Sequence, residues 1–265
     1  MKTKLAFLLL CYSAVLAQSS TREYIADTLD LVAWRKAHAA TPAAADTAGG
    51  GFPRSAVAAL AQQGVVRVAC VGNSITYGSG LQDRHADSYP AVLGRMLGEG
   101  YEVQNFGLGG RTMLRKGDRP YMLEQRFRDA LRFAPDVVVL KLGTNDSKTI
   151  NRIHAHELVA DAEALADSFL LLPSRPQVLL CYPAKAYGDG LGTICDSVIV
   201  ADIIPRVREA AQRKGLRVID LHTATDGMPQ NFPDNVHPNE EGAIAIAEAV
   251  YEAITGRAKK YCACE

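Results

Sequence analysis

Neither sign of charge is in excess in this chain: Lys and Arg number 29, and Asp and Glu number 29, over 265 residues. That balance gives no electrostatic case for nucleic acid or for an anionic membrane as a partner. Aromatic residues are few, 7%, and there is one tryptophan, Trp34. The N-terminal apolar stretch Leu5-Ala6-Phe7-Leu8-Leu9-Leu10 falls well short of the ~20 residues that a membrane-spanning helix needs. Cysteine is also scarce. No cluster of ligand residues near Cys262-Ala263-Cys264 suggests zinc, so no metal or organic cofactor is expected.

What is present is ordinary globular material, 48% hydrophobic and 22% charged, and a single α/β domain is the simplest arrangement for this length. Lys2 and Lys4 precede the apolar stretch, and Val15-Leu16-Ala17 supplies small side chains before Gln18. Residues 1–17 therefore read as a secretory signal peptide cleaved after Ala17, which implies a secreted or periplasmic protein. Leu10 is too bulky to precede a lipid-modified cysteine, so Cys11 does not suggest an anchor. Beyond the signal lie Cys70, Cys181, Cys195, Cys262 and Cys264, an odd count that excludes complete pairing within one chain. Cys70 and Cys181 fall in apolar runs, where a thiol behaves as a small hydrophobe.

Residues 18–60 read as an N-terminal arm and linker, with the Gly- and Ala-rich stretch 39–51 as its loosest part. A regular alternation occupies 61–258, and 259–265 is left as a tail. Apolar, β-branched runs at Val65–Val71, Tyr101–Asn105, Asp136–Leu142, Gln177–Cys181 and Arg217–Asp220 predict five strands. Helical patterns separate them at Ser88–Leu97, Tyr121–Phe133, Glu157–Leu171 and Val200–Lys214, and a last helix is predicted at Asn239–Ile254. Asn239 is a candidate N-cap, and Glu240-Glu241 complement the positive end of that helix. Near-continuous apolar strands separated by helices imply a parallel sheet covered on both faces, a three-layer α/β/α sandwich. Ligands in such folds bind beyond the carboxyl ends of the strands.

The residues with chemistry fall at those ends. Gly72-Asn73-Ser74-Ile75-Thr76 follows the first strand and places a serine in a turn; Ser/Thr helix capping alone would also explain it. A hydroxyl needs a neighbouring base, and the base needs a group to orient it. Asp234-Asn235-Val236-His237 supplies both from one short loop, with Pro238 fixing the chain after it. Asn105-Phe106-Gly107-Leu108-Gly109-Gly110-Arg111-Thr112 lets backbone approach a ligand and can aim an N–H group into a site. Leu142-Gly143-Thr144-Asn145-Asp146 offers an asparagine amide as a donor to an oxyanion. His38, His85, His154, His156 and His222 lack an acid placed as Asp234 is, and His154 and His156 read as solvated.

These four segments, spanning about Val65 to Ile254, resemble the blocks of the SGNH hydrolases, also called the GDSL esterase/lipase family. The resemblance implies a flavodoxin-like fold with a central five-stranded parallel sheet. It implies Ser74 as nucleophile, His237 as general base and Asp234 as the orienting acid. It also implies an oxyanion hole made by the N–H of Ser74, the N–H of Gly110 and the side chain of Asn145. One departure is that the family's usual aspartate before the serine is Asn73 here.

Tyr77, Arg84, Tyr89 and Arg111, with Lys148 and Tyr187, fall in segments expected near the site and suit a polyhydroxylated substrate. Ser88-Tyr89-Pro90 and Thr144-Asn145-Asp146-Ser147-Lys148 resemble secreted bacterial SGNH proteins of the sialate O-acetylesterase-like or acetylxylan-esterase-like kind. An acetylated glycan or a small acyl ester is the expected substrate, and O-acetyl removal from a carbohydrate the expected reaction. A lipase, thioesterase or lysophospholipase activity and a non-catalytic glycan-binding role are the alternatives. Turnover should fade on the acid side as His237 protonates, because a charged imidazole cannot accept the serine proton.

Overall fold

The computed structural model describes residues 64–188 and 194–262. The expected signal peptide over residues 1–17, the expected arm over 18–60 with Trp34, and Cys264 lie outside the described residues. Five strands, β1 (Val66–Gly72), β2 (Tyr101–Gly107), β3 (Val137–Lys141), β4 (Gln177–Tyr182) and β5 (Arg217–Asp220), form one sheet in the order β2-β1-β3-β4-β5. Every neighbouring pair is parallel. Parallel neighbours need crossovers, and helices supply them. The chain moves to one side of β1 and then to the other, so the order reverses between β1 and β3, where an open α/β sheet leaves a crevice.

Strand alternation divides the core in two. Val66, Val68 and Cys70 of β1 and Val137 and Val139 of β3 face α2 (Tyr89–Leu97) and α6 (Glu240–Thr255), packing with Val92, Leu93, Ile246 and Val250. Ala69, Val71, Val138 and Leu140 face α3 (Gln125–Arg132), α4 (Leu158–Leu170) and α5 (Ile204–Lys214), packing with Phe127, Leu165, Phe169 and Val207. This is the three-layer sandwich expected from the apolar runs. At the start of α6, Asn239 accepts the Gly242 N–H at 3.0 Å, satisfying one of the donors that a helix N-terminus leaves unpaired.

Three predicted helices differ in detail. The one predicted at Tyr121–Phe133 breaks at Glu124, whose backbone is extended and whose carboxylate pairs with Arg111. The one predicted at Glu157–Leu171 is α-helical over Leu158–Leu170 and is preceded by a 3-10 segment, Thr149–Glu157, in which the Asn151 side chain turns inward to Asp118. The one predicted at Val200–Lys214 starts earlier, at Asp196, and passes through a π-helical turn, Ile199–Ile203. Pro205 lies at the start of α5 and donates no N–H to the preceding turn, which is where the regular ladder is interrupted. At the predicted tail, Tyr261 docks back, accepting from Arg95 Nε at 2.7 Å and donating its N–H to Glu248 at 2.9 Å.

Candidate active site

At the carboxyl end of β1 the chain turns directly into α1 (Ser74–Tyr77), a single helical turn. Asn73, not Ser74, is the N-cap: its Oδ1 accepts the Ile75 N–H at 3.1 Å. Ser74 is therefore the first helical residue, where a backbone N–H has no intrahelical partner. The turn is held against β2. A Cβ at Gly107 would sit 2.2 Å from the Tyr77 nitrogen, so only glycine permits this approach. Asn105 Nδ2 then donates to the Thr76 carbonyl at 2.7 Å.

His237 reaches Ser74 across 163 positions of sequence. Ser74 Oγ lies 2.8 Å from His237 Nε2, and His237 Nδ1 lies 2.6 Å from Asp234 Oδ2. The imidazole with its proton on Nδ1 donates to Asp234 and presents a lone pair to the serine hydroxyl. Asp234 Oδ1 also accepts the N–H groups of Val236 at 3.0 Å and His237 at 2.6 Å. Asn235 makes this possible with φ at 69°, a left-handed conformation that asparagine tolerates well. Partial burial raises the Asp234 pKa, but the N–H groups and imidazole of this turn outweigh it and hold the carboxyl below its ordinary value.

The glycine-rich segment passes beside the serine, and a Cβ at Gly109 would come to 3.9 Å from Ser74 Cβ. Gly110 follows with φ at 79°, a backbone that glycine adopts without strain. Asn145, 3% exposed, donates from Nδ2 to the Arg111 carbonyl at 3.0 Å, which uses one of its two N–H groups. Its own carbonyl accepts from Asn151 at 2.8 Å. Ser74, His237 and Asp234 are thus joined by hydrogen bonds, and the segments of Gly110 and Asn145 by another. A hydroxyl hydrogen-bonded to an imidazole that a carboxylate orients is equipped for acyl transfer.

Residues 70–244 match the model of the GDSL-like lipase/acylhydrolase family. The chain belongs to this family. It is 43% identical over 212 residues to an acetylxylan esterase of Xylanibacter ruminicola, an alignment that takes in 73% of this chain and 44% of that protein. This chain thus covers less than half of that relative's length. Among solved structures, a carbohydrate acetylesterase of Sinorhizobium meliloti superposes with a TM-score of 0.59 at 20% identity, covering 72% of this chain and 99% of the other. An aryl esterase of M. smegmatis does so with the same score, identity and coverage, 0.59, 20%, 72% and 99%. At such identity the superpositions establish a shared GDSL-type fold.

The remaining candidates of this GDSL-like chain divide. Tyr77 is half-buried, and the Arg84 guanidinium lies over its ring at 4.3 Å, so the two form one stacked unit at the turn that carries Ser74. Arg111 is engaged with Glu124 at 2.8 Å and with the Gly109 carbonyl at 2.6 Å, bracing the glycine segment. Lys148 pairs with Asp118 at 3.1 Å. Tyr187 packs its ring, tilted, against Phe232 at 5.2 Å between centroids and gives its N–H to the Asn235 carbonyl at 2.8 Å, so it supports the Asp234–His237 loop. Tyr89 is a correction to the sequence reading. It is 1% exposed, with its hydroxyl 3.4 Å from Thr76 Oγ1, and belongs to the core rather than to a substrate surface, because α2 turns it inward beneath α1.

Three residues escaped the sequence reading. Arg119 lies against Gly110, its Nη1 3.5 Å from where a Cβ would be. Asp146, fully buried, accepts the N–H groups of Met113 at 3.1 Å and Leu114 at 2.8 Å. Burial pushes its pKa up to about 6, against the downward pull of those N–H groups. Lys141, the last residue of β3, is also fully buried, and desolvation lowers its pKa to about 7. An acid inside a turn and a lysine closing an apolar strand have obvious surface interpretations in sequence, and no spacing marks them as interior. Among the described residues no group of three or more His, Cys, Asp or Glu is placed to hold a metal ion. No helix among them is long and apolar enough to cross a membrane.

Proposed function

We propose that this protein is an exported serine esterase that removes O-acetyl groups from a carbohydrate. The observation that carries the reading is the 2.8 Å contact between Ser74 Oγ and His237 Nε2, in an imidazole oriented by Asp234. Ser74 attacks the acetyl carbonyl carbon as its proton passes to His237. The N–H groups of Ser74 and Gly110 and the free amide N–H of Asn145 receive the oxyanion. The sugar alcohol leaves with the proton held by His237. Water then adds to the acetyl-enzyme, giving its proton to the same nitrogen, and acetate and Ser74 are released.

The acetylxylan esterase relative supports the acetyl group and the glycan. A polar margin of Tyr77 stacked with Arg84, and of Arg119 beside Gly110, suits hydroxyl-rich ligands. Export is supported by Lys2 and Lys4 ahead of Leu5–Leu10, and N-terminal sequencing of the mature protein tests it against Gln18.

One observation favours a second reading, hydrolysis of longer acyl esters: Ile150 and Ile153, exposed at 64% and 73%, follow the Asn145 turn closely in the chain. A p-nitrophenyl ester series separates the two. Acetate turnover far above octanoate supports the deacetylase, and equal or better octanoate turnover overturns it. Acetate release from acetylated xylan, pectin and O-acetyl sialic acid then identifies the glycan. No turnover of any ester would point to a binding protein.

A further inference from the structure

Lys141 sits where a lysine is costly. Its side chain is 0% exposed at the end of β3, in register with Gly72 of β1. Among the described residues no carboxylate pairs with it. The ionisable group that acts on it is the buried Cys181 thiol, itself held neutral by desolvation. A methionine of similar length would fill the space without that penalty, and replacing buried charged groups by apolar ones is often stabilising. What the amine does have is two aligned acceptors: Asn73 Oδ1 at 3.2 Å and Thr144 Oγ1 at 3.2 Å. Asn73 immediately precedes Ser74, and Thr144 immediately precedes Asn145. The Asn73 oxygen is shared between Lys141 and the Ile75 N–H, which fixes the amide plane and leaves its Nδ2 buried with no hydrogen-bond partner among the described residues. An unsatisfied buried donor is a cost, and it is tolerated here in the orientation that keeps the oxygen on Lys141.

We propose that Lys141 is a positioning residue that ties the nucleophile turn to the asparagine turn and so sets the spacing of the donors around the oxyanion. The inference rests on the assignment of Ser74 and Asn145 given above. Neither contact reaches substrate directly. The lysine acts through the two turns, and a small misplacement of donors relative to the reacting carbonyl is felt in the transition state far more than in binding.

The test is steady-state hydrolysis of p-nitrophenyl acetate by purified full-length protein, with thermal unfolding of each variant alongside. Lys141→Met is expected to lower kcat about tenfold or more with KM within about twofold, and to leave the unfolding midpoint unchanged or higher. Thr144→Val, which removes one acceptor at constant shape, should lower kcat to a similar degree. Thr144→Ser, which keeps the hydroxyl, should stay within about threefold of wild type. Combining Lys141→Met with Thr144→Val should add little, because both break the same contact. A folded Lys141→Met or Thr144→Val protein with wild-type kcat overturns the inference, as does a kcat loss that merely tracks lost thermal stability. If wild type shows no turnover that Ser74→Ala removes, both this inference and the proposed function fall. If Ser74-dependent turnover is intact and the Lys141 variant is unimpaired, this inference falls alone.

Discussion

Asp146 accepts the N–H of Leu114 at 2.8 Å, joining the turn that carries Asn145 to the segment that carries Gly110. A second bond, from the Met113 N–H to the other carboxylate oxygen at 3.1 Å, makes the joint two-pronged and fully buried. Asp146→Ala leaves both N–H groups without partners, at a cost of about 1–3 kcal/mol for each. A fall of that size in unfolding free energy, read by urea titration, is the expected outcome. An unchanged midpoint would show that the joint is dispensable.

Ser74→Ala and His237→Ala should each lower kcat for p-nitrophenyl acetate by about 10³-fold or more, with far-UV circular dichroism unchanged. The hydroxyl lies 2.8 Å from the imidazole and nothing else among the described contacts replaces it. Full activity in either variant would refute the assignment.

Asn145→Ala tests the donor side of the site. Loss of one oxyanion donor typically costs about 2.7–4 kcal/mol, or 10²–10³ in kcat, with little change in KM. The bond from Asn145 to the Arg111 carbonyl at 3.0 Å is lost as well, so a modest drop in thermal midpoint should accompany the kinetic effect. A change in KM alone would place Asn145 in ground-state binding instead.

Lys141 gives a pH signature. Burial lowers its pKa from 10.5 to about 7, so between those values the unfolded chain binds more protons than the folded one. Folding stability from this group is therefore complete above the unfolded value and is lost as pH falls toward 7, at up to about 1.4 kcal/mol per pH unit. Lys141→Met should be more stable than wild type near pH 7, and its advantage should shrink by pH 9. Parallel stability profiles for the two proteins over that range would exclude the buried, partly neutral amine.

The strands were legible in sequence because both faces of a parallel sheet are buried, which makes runs such as Val137 to Leu140 almost wholly apolar. Glu157 was harder, since it closes the 3-10 segment Thr149–Glu157 while the α-helix begins at Leu158. The same side chains suit a 3-10 or an α-helical turn, so local periodicity does not place the boundary between them. Tyr89 was misjudged because a tyrosine close in sequence to a candidate nucleophile reads as a contact residue, whereas the direction of α2 sends it into the core at 1% exposure.

The sequence by itself determined the type of sheet, the turn that holds Ser74, and the loop in which Asp234 and His237 stand three positions apart, since these depend on local periodicity and short spacing. Tertiary structure alone decided that Ser74 and His237, 163 residues apart in sequence, meet at 2.8 Å, and that Lys141 and Asp146 lie inside, bonded across loops far apart in sequence. Burial and partner choice for a charged side chain depend on what the rest of the chain packs around it. No local pattern encodes that.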